Sequence, residues 1–528
     1  MLKTDLILAN AKIFDFGKPL VPGGAVALGM GRILAAGDTK EVMSFAGEKT
    51  EVIDLEGRVL LPGFFDSHLH LASFGQSFTR IDFSGAATLA EALDRVKKFV
   101  EKSKGGEWLL GRGWDNNLWD GKLPSRQDLD GITGNRPAAF PSRCGHMVWA
   151  NSAALKAAGV TKDTPDPQGG KIERDAKGEP TGIFMETAVS IIRNVRPKPG
   201  NEATRSGLLD AIKEAHKLGI TSVMTLASAT EFGALCELER EGGLDLRVHV
   251  YIEGGDYEEI EALEKLGLRP PLTGDRLGFC GLKYYVDGSL GGKTAYMFEP
   301  YSGSEDCGIP VLHGRELEDK IAAASRAGIP CAMHAIGDRA VAESLDAIEA
   351  SRAIHPGLRH RIEHSQVLRK EDIKRFAESG VIASMQPVHI YGDIATADKY
   401  WGERCRYAYA LRSLIDSGAV VALGTDCPIE RLDPMLGLFA ACAREPEDGG
   451  EPWIPEERIT LEEALWCYGA RGAYAVCAEE RRGAIAPGMD ADLVVLRGNL
   501  FETDLRELLS TRVEMTVFAG RVVHRAFM

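Results

Sequence analysis

The sequence has no surplus of positive charge: 62 Lys and Arg against 77 Asp and Glu leave a formal net charge of −15 over 528 residues. A chain of that sign cannot neutralise a phosphate backbone, so nucleic acid is excluded as a partner. It also lacks any run of about 18 uncharged apolar residues, the length a membrane-spanning helix requires, and no membrane partner is expected. Cysteine is scarce, ten in the chain and no two spaced Cys-x-x-Cys, which fits a reducing compartment better than a disulfide framework. The opening residues reach Asn10 and Lys12 before an apolar segment attains signal-peptide length, so a cytoplasmic location is expected. What is present, 44% hydrophobic and 26% charged residues, is the composition of an ordinary globular protein with a large core. The length admits about three domains, or one (β/α)₈ barrel with insertions.

Short β-rich runs separated by Gly and Asp turns fill both ends of the chain, among them Leu6 to Ala9, Ala25 to Leu28, Asp492 to Leu496 and Val513 to Ala519. Residues 1–58 and 481–528 are therefore expected to form one composite β-sandwich. Between them, apolar runs alternate with helical patterns, the mark of a parallel α/β fold. Eight runs qualify as strands: Val59–Leu71, Thr221–Leu226, Arg247–Ile252, Gly281–Val286, Pro330–Ala335, Arg361–Ser365, Ile382–Gln386 and Val420–Thr425. Eight is the barrel number, which assigns 59–480 to a (β/α)₈ TIM barrel. The first two runs are far apart, so an insertion is expected at 105–200. Its Gly, Pro, Asp, Asn and Trp content predicts a loop-heavy lid.

The strand ends carry the chemistry. His68 and His70 are two apart at the end of the first run, so in a strand both point to one side. The fifth run ends at His334, the sixth carries His364, the eighth leads to Asp426, and the fourth holds Lys283. A barrel delivers all such ends to one face. Singly, each residue could be a satisfied polar group; together, four imidazoles, a carboxylate and an amine predict a metal site.

These residues lie in longer motifs: Pro62-Gly-Phe-Phe-Asp-Ser-His-Leu-His70, Gly111-Arg-Gly-Trp114, Pro124-Ser-Arg126 with Asp128-Leu-Asp130, Gly145-His146, Asn151-Ser152, Lys283 with Asp287-Gly-Ser-Leu-Gly291, His334-Ala-Ile-Gly-Asp-Arg-Ala340, Ile362-Glu-His364, Gln386-Pro387, Gly424-Thr-Asp-Cys-Pro428 and Ala491-Asp-Leu493. In this order the chain resembles the amidohydrolase superfamily, specifically the family 3 branch that includes N-substituted formamide deformylases and proteins labelled as exoenzyme regulatory factors. The resemblance implies a metal-dependent hydrolase barrel with a composite β-sandwich. It makes His68 and His70 ligands of the more buried metal and His334 and His364 ligands of a second. Asp426 becomes a ligand and the general base. Lys283 stands where such enzymes carry a carboxylated lysine bridging two metals, its alternative being a plain Lys paired with Asp287 or Asp426. Asp426, Lys283 and His364 would carry catalysis. The cofactor would be a divalent metal, Zn²⁺ by preference, at one or two per chain, although imidazole and carboxylate serve other ions too.

The implied reaction is hydrolysis of a C–N bond (amide, N-formyl, N-acyl or carbamate) in a small molecule by metal-activated hydroxide. Purine-deaminating relatives place Glu three residues after the third His, where this chain has Gly337 followed by Asp338. A heterocyclic-amine deaminase and a catalytically silent regulatory or binding protein are the alternatives. Motif position makes Trp114, His146, Asp287, Arg339, Gln386 and His389 substrate contacts, with core packing the alternative for Trp114 and an ion pair that for Arg339. A homodimer follows from family habit alone.

Overall fold

The computed structural model describes residues 4–527 except 17–20, 104–107, 120, 143–146, 168–169, 198–199, 255–256, 266, 268–271 and 499. The chain forms two compact units, Met1–Ala72 with Leu209–Met528, and Ser73–Leu208. Among the described residues no helix is long and apolar enough to cross a membrane.

In the first unit eight parallel strands make a nearly closed barrel: β1 (Phe64–Leu69), β2 (Ile220–Ala227), β3 (Arg247–Glu253), β4 (Leu277–Tyr285), β5 (Cys331–Ala335), β6 (Arg361–His364), β7 (Ile382–Met385) and β8 (Val420–Leu423). Each pairs in parallel register with the next. Every strand overlaps one of the eight expected runs, and helices such as Gly314–Arg326 and Asp338–Arg352 bury their Leu317, Ile321, Val341 and Leu345 stripes between them. The ends β1 and β8 meet just past their strands, where Asp426 N donates to His68 O and His70 N to Cys427 O, both at 2.7 Å.

The first apolar run divides in two. Val59–Pro62 pairs antiparallel with Leu493–Leu496 in the terminal sheet, and β1 begins after Gly63. A Cβ at Gly63 would collide with the Thr221 side chain, so the chain changes sheets at the residue that lets it pass closest to β2. The terminal sheet has eight strands drawn from both chain ends. Leu8, Val26, Ile53 and Leu60 from the first end share a core with Leu493, Val495, Met515 and Val517 from the second. The alternate residues Ile7, Ala9, Ala25 and Ala27 face away and are covered by Val42.

The second unit begins earlier than the expected 105. Ile81–Asp82 pairs with Leu109–Arg112 as the edge of a six-stranded sheet, and Leu89–Lys102 is a helix of the same unit. It is also no loop-heavy segment: Phe83, Val96, Trp114, Trp119, Phe140 and Trp149 form its own core. Its strands are mostly short and broken by polar turns, which gives them the texture of loops in sequence.

A buried ionic cluster ties the terminal sheet to the barrel. Arg247, which opens β3, donates through Nε and, at 3.1 Å, through Nη2 to Asp492, and lies 3.4 Å from Asp490. Arg482 donates to Asp490 at 2.9 Å. Removing one partner of such a pair leaves a buried charge without compensation. Arg247→Met should therefore destabilise the chain by about 3–5 kcal/mol, read as a lower urea midpoint; an unchanged midpoint would show that the cluster is dispensable.

His360 lies buried between β5 and β6, its Nδ1 accepting from Cys331 N at 3.1 Å. Burial pulls its pKa from 6.5 down to about 4. The unfolded chain thus binds a proton that the folded chain refuses between those values, and stability falls as pH drops through that window. The loss of stability between pH 7 and pH 4.5 should be smaller in His360→Gln than in wild type; equal losses would exclude His360 as a contributor.

Candidate metal centre

His68 is buried at the end of β1 and held at both nitrogens. Its Nδ1 lies 2.6 Å from Glu363 Oε2 and its Nε2 3.3 Å from Asp426 Oδ1. Two residues on, and more exposed, His70 brings its Nε2 to 3.2 Å from the same Asp426 oxygen. The other carboxylate oxygen, Oδ2, is 3.1 Å from His389 Nε2. The His364 ring centroid is 4.9 Å from that of His68 and 4.5 Å from that of His334.

Two donor groups result, His68, His70 and Asp426, and His364, His389 and Asp426, with the ligand atoms of each group within 4.8 Å of one another. Asp426 belongs to both. His334 turns its Nε2 to Gly288 O at 2.9 Å, so the donor set by geometry contains His389 where the resemblance places His334. His389, expected against substrate, thus lies against the central carboxylate.

Strand alternation alone would not build this. Glu363 and His364 are consecutive, yet both reach the site, because His364 and Ser365 take left-handed backbone, φ 74° and 44°. Asp426 does the same at φ 58° as it leaves β8. Such conformations cost of order 1–3 kcal/mol each and persist where the surroundings over-determine them.

Electrostatics sorts the donors. Burial, helped by Lys283, brings His334 down to about 3, and burial with its histidine neighbours holds His364 well below its usual range, so both rings are neutral with a free lone pair. Burial resists ionisation of Asp426, but His389, His68 and His70 overcome it and keep the carboxylate ionised. Burial likewise opposes charge on His389, yet Asp426 raises it to about 9. Lys283 is pulled down by burial to about 8 despite facing Glu363 and Asp426.

Among the described residues, two buried nitrogens of the site, Lys283 Nζ and His364 Nδ1, have no hydrogen-bond partner. Native interiors rarely leave such atoms unmatched. The neutral imidazoles of His334 and His364, an ionised carboxylate common to two groups and the unpartnered nitrogens together suit a divalent cation with mixed nitrogen and oxygen ligands.

The remaining expected substrate contacts are placed otherwise, and His146 lies outside the described residues. Trp114 is fully buried in the core of the second unit and donates to Phe140 O at 2.6 Å, which corrects its reading as a contact to core packing. Asp287 accepts backbone amides of Tyr296, Ile336 and Gly337 at 2.8–3.0 Å, so it shapes the β4 and β5 loops rather than offering itself to a ligand. Arg339 pairs with Glu343 at 3.1 Å and stacks on Tyr296, the ion-pair alternative. Buried Gln386 donates to Ser384 O at 3.1 Å, a local backbone contact.

Three positions went unread in sequence. Asp66 accepts from His68 N and Thr425 N at 3.1 Å and from Thr425 Oγ1 at 2.6 Å. Glu363 holds His68, and Arg361 donates to Glu363 Oε1 at 2.5 Å. Asp66 shares the i, i+2 phase of His68 and His70, which was the available signal.

Residues 51–524 match the sequence profile of the Amidohydrolase family. The chain is 32% identical to the protein LONG AFTER FAR-RED 3 of Arabidopsis thaliana, over 98% of this chain and 91% of that one. It is 28% identical to the N-substituted formamide deformylase of Arthrobacter pascens, over 98% and 97%. A crystal structure of an uncharacterized metal-dependent hydrolase from Pyrococcus horikoshii superposes with a TM-score of 0.80 at 29% identity, covering 95% of this chain and 99% of that one.

A ligand bound only by the folded state stabilises it, by about 2.7 kcal/mol at 100 times its Kd. Zn²⁺ or Mn²⁺ added to chelator-stripped protein should raise the thermal midpoint, and His364→Ala should blunt the response. Equal responses in both proteins would place the binding elsewhere.

Proposed function

The chain belongs to the amidohydrolase family, and from that premise we propose that it is a metal-dependent hydrolase cleaving the C–N bond of an amide, N-formyl, N-acyl or carbamate group in a small molecule. The observation that carries this reading is the ionised Asp426 carboxylate shared by two clusters of imidazoles at the C-terminal ends of β1, β6 and β8 and the segment after β7. Those ends are where barrel enzymes place their chemistry. His68, His70, His364 and Asp426, with His334 or His389, would hold the ion, zinc by our reading, at one or two per chain. When bound, a divalent cation at such a site lowers the pKa of water and polarises a carbonyl oxygen.

Asp426 accepts the proton of the attacking water and returns it to the nitrogen that leaves, for which it must be ionised at rest. Where His334 is the ligand, His389 keeps its proton on Nε2 and orients the carboxylate through Oδ2. Lys283, with a neutral fraction available near pH 8 and no hydrogen-bond partner at Nζ, is suited to add CO₂ and release a proton, giving a carbamate with two ligand oxygens.

Two features weigh against the rival readings. The position that carries Glu in deaminating relatives is Gly337, and a Cβ there would collide with the Tyr296 backbone, so no carboxylate side chain fits. A silent binding protein would have no use for left-handed backbone at His364 and Asp426. The formamide deformylase relative makes N-formyl and N-acyl compounds the first to assay.

At saturating metal, Asp426→Asn should keep metal and lose roughly 10²–10⁴ in kcat, measured as amine release from a panel of N-formyl, N-acyl and carbamate compounds. Unchanged kcat would remove Asp426 from the role; ammonia release from heterocyclic amines by wild type would favour the deaminase.

A further inference from the structure

Arg361 and Glu363 are both fully buried inside the barrel, where an ion pair by itself is a poor source of stability. Their contacts are directional. Glu363 uses Oε2 for His68 Nδ1 at 2.6 Å and Oε1 for Arg361 Nε at 2.5 Å. Arg361 Nη2 in turn donates to Ser67 O at 2.6 Å, the carbonyl just before His68, and to Ser384 Oγ at 2.5 Å on β7. The carboxylate is thus fixed from β6, and the cation that fixes it is anchored to the backbone of β1 and to β7. Both Glu363 oxygens are engaged, so it is no ligand itself.

An imidazole can donate from one nitrogen and offer a lone pair from the other, and the partner of the first decides which is which. We infer that Glu363, clamped by Arg361, is the positioning residue that holds a proton of His68 on Nδ1, so that Nε2, which faces His70 and Asp426, is the nitrogen left to give its electron pair to a bound cation. This rests on the metal-centre reading above and adds to it a residue that never touches substrate or metal. The Arg361 guanidinium, bound to the other Glu363 oxygen and anchored on Ser67 O and Ser384 Oγ, fixes the direction in which the carboxylate meets His68 Nδ1.

Glu363→Gln alone strands Arg361 and would unfold part of the population, so the decisive variant is Arg361→Met with Glu363→Gln, which removes both charges at similar volume. Zn²⁺ affinity is measured by chelator competition, alongside the thermal midpoint of the metal-stripped protein. The double variant should keep its metal-stripped midpoint near that of wild type and bind Zn²⁺ about 10–100-fold more weakly. Ser384→Ala, which loosens Arg361 but spares the Glu363–His68 bond, should stay within about twofold of wild type. A double variant that binds as tightly as wild type, or a Ser384→Ala as weak as the double variant, overturns the inference while leaving the metal centre intact. Wild type that takes up no divalent cation overturns both.

Discussion

The structure depends on how the first and last barrel strands are joined. They do not form a regular ladder; two backbone bonds just past the strands and the Asp66 carboxylate join them, the carboxylate accepting from the backbone of His68 on one side and from the backbone and hydroxyl of Thr425 on the other. Its burial raises its pKa to about 6, so those donors are what allow a carboxylate there. Gly424 is required beside it, since a Cβ would collide with the His68 backbone. With that seam closed, His68 and His70 stand next to Asp426, residues more than 350 positions apart in sequence. The metal centre is a consequence of barrel closure.

Closure also dictates a charge arrangement that would otherwise be costly. Glu363, Asp66, Asp426, Lys283 and Arg361 are all buried around the mouth. Carboxylates survive there only with donors at hand. Arg361 serves Glu363, amides and a hydroxyl serve Asp66, and imidazoles serve Asp426. Lys283 Nζ has no hydrogen-bond partner among the described residues, and burial lowers the pKa of its amine to about 8.

How much of this was legible follows from periodicity. Short runs of apolar residues marked strands such as Ile382–Met385 and Val420–Leu423, which are buried on both faces, while Arg361–His364 was marked chiefly by its place in the alternation of strands and helices. Polar residues at their ends marked His68, His70, Lys283, His334, His364 and Asp426. Glu363 was missed for a physical reason: with His364 pointing in, alternation sends its neighbour out, and the left-handed turn that overrides this leaves no trace in composition. The seam at Asp66 was missed because pairing between β1 and β8 is not local. The second unit was misread in extent because short strands look like loops, and Trp114 because an aromatic within a motif is equally suited to a wall or a core.

The two ends of the barrel use the same residue types to opposite ends. Where β3 begins, Arg247, Arg482, Asp490 and Asp492 satisfy one another, and Asp492 further accepts from Ala519 N at 2.8 Å. Charge there is matched to charge, and the product is attachment of the terminal sheet. Where β4, β6 and β8 finish, donors and acceptors are gathered, and Lys283 Nζ and His364 Nδ1 are left without a hydrogen-bond partner among the described residues. Stability would be better served by pairing these atoms as the other end does. The chain instead holds His364, and Asp426 beside it, in left-handed backbone, so folding free energy is spent on this arrangement, which suits a partner from outside the chain completing His364 Nδ1 and Lys283 Nζ.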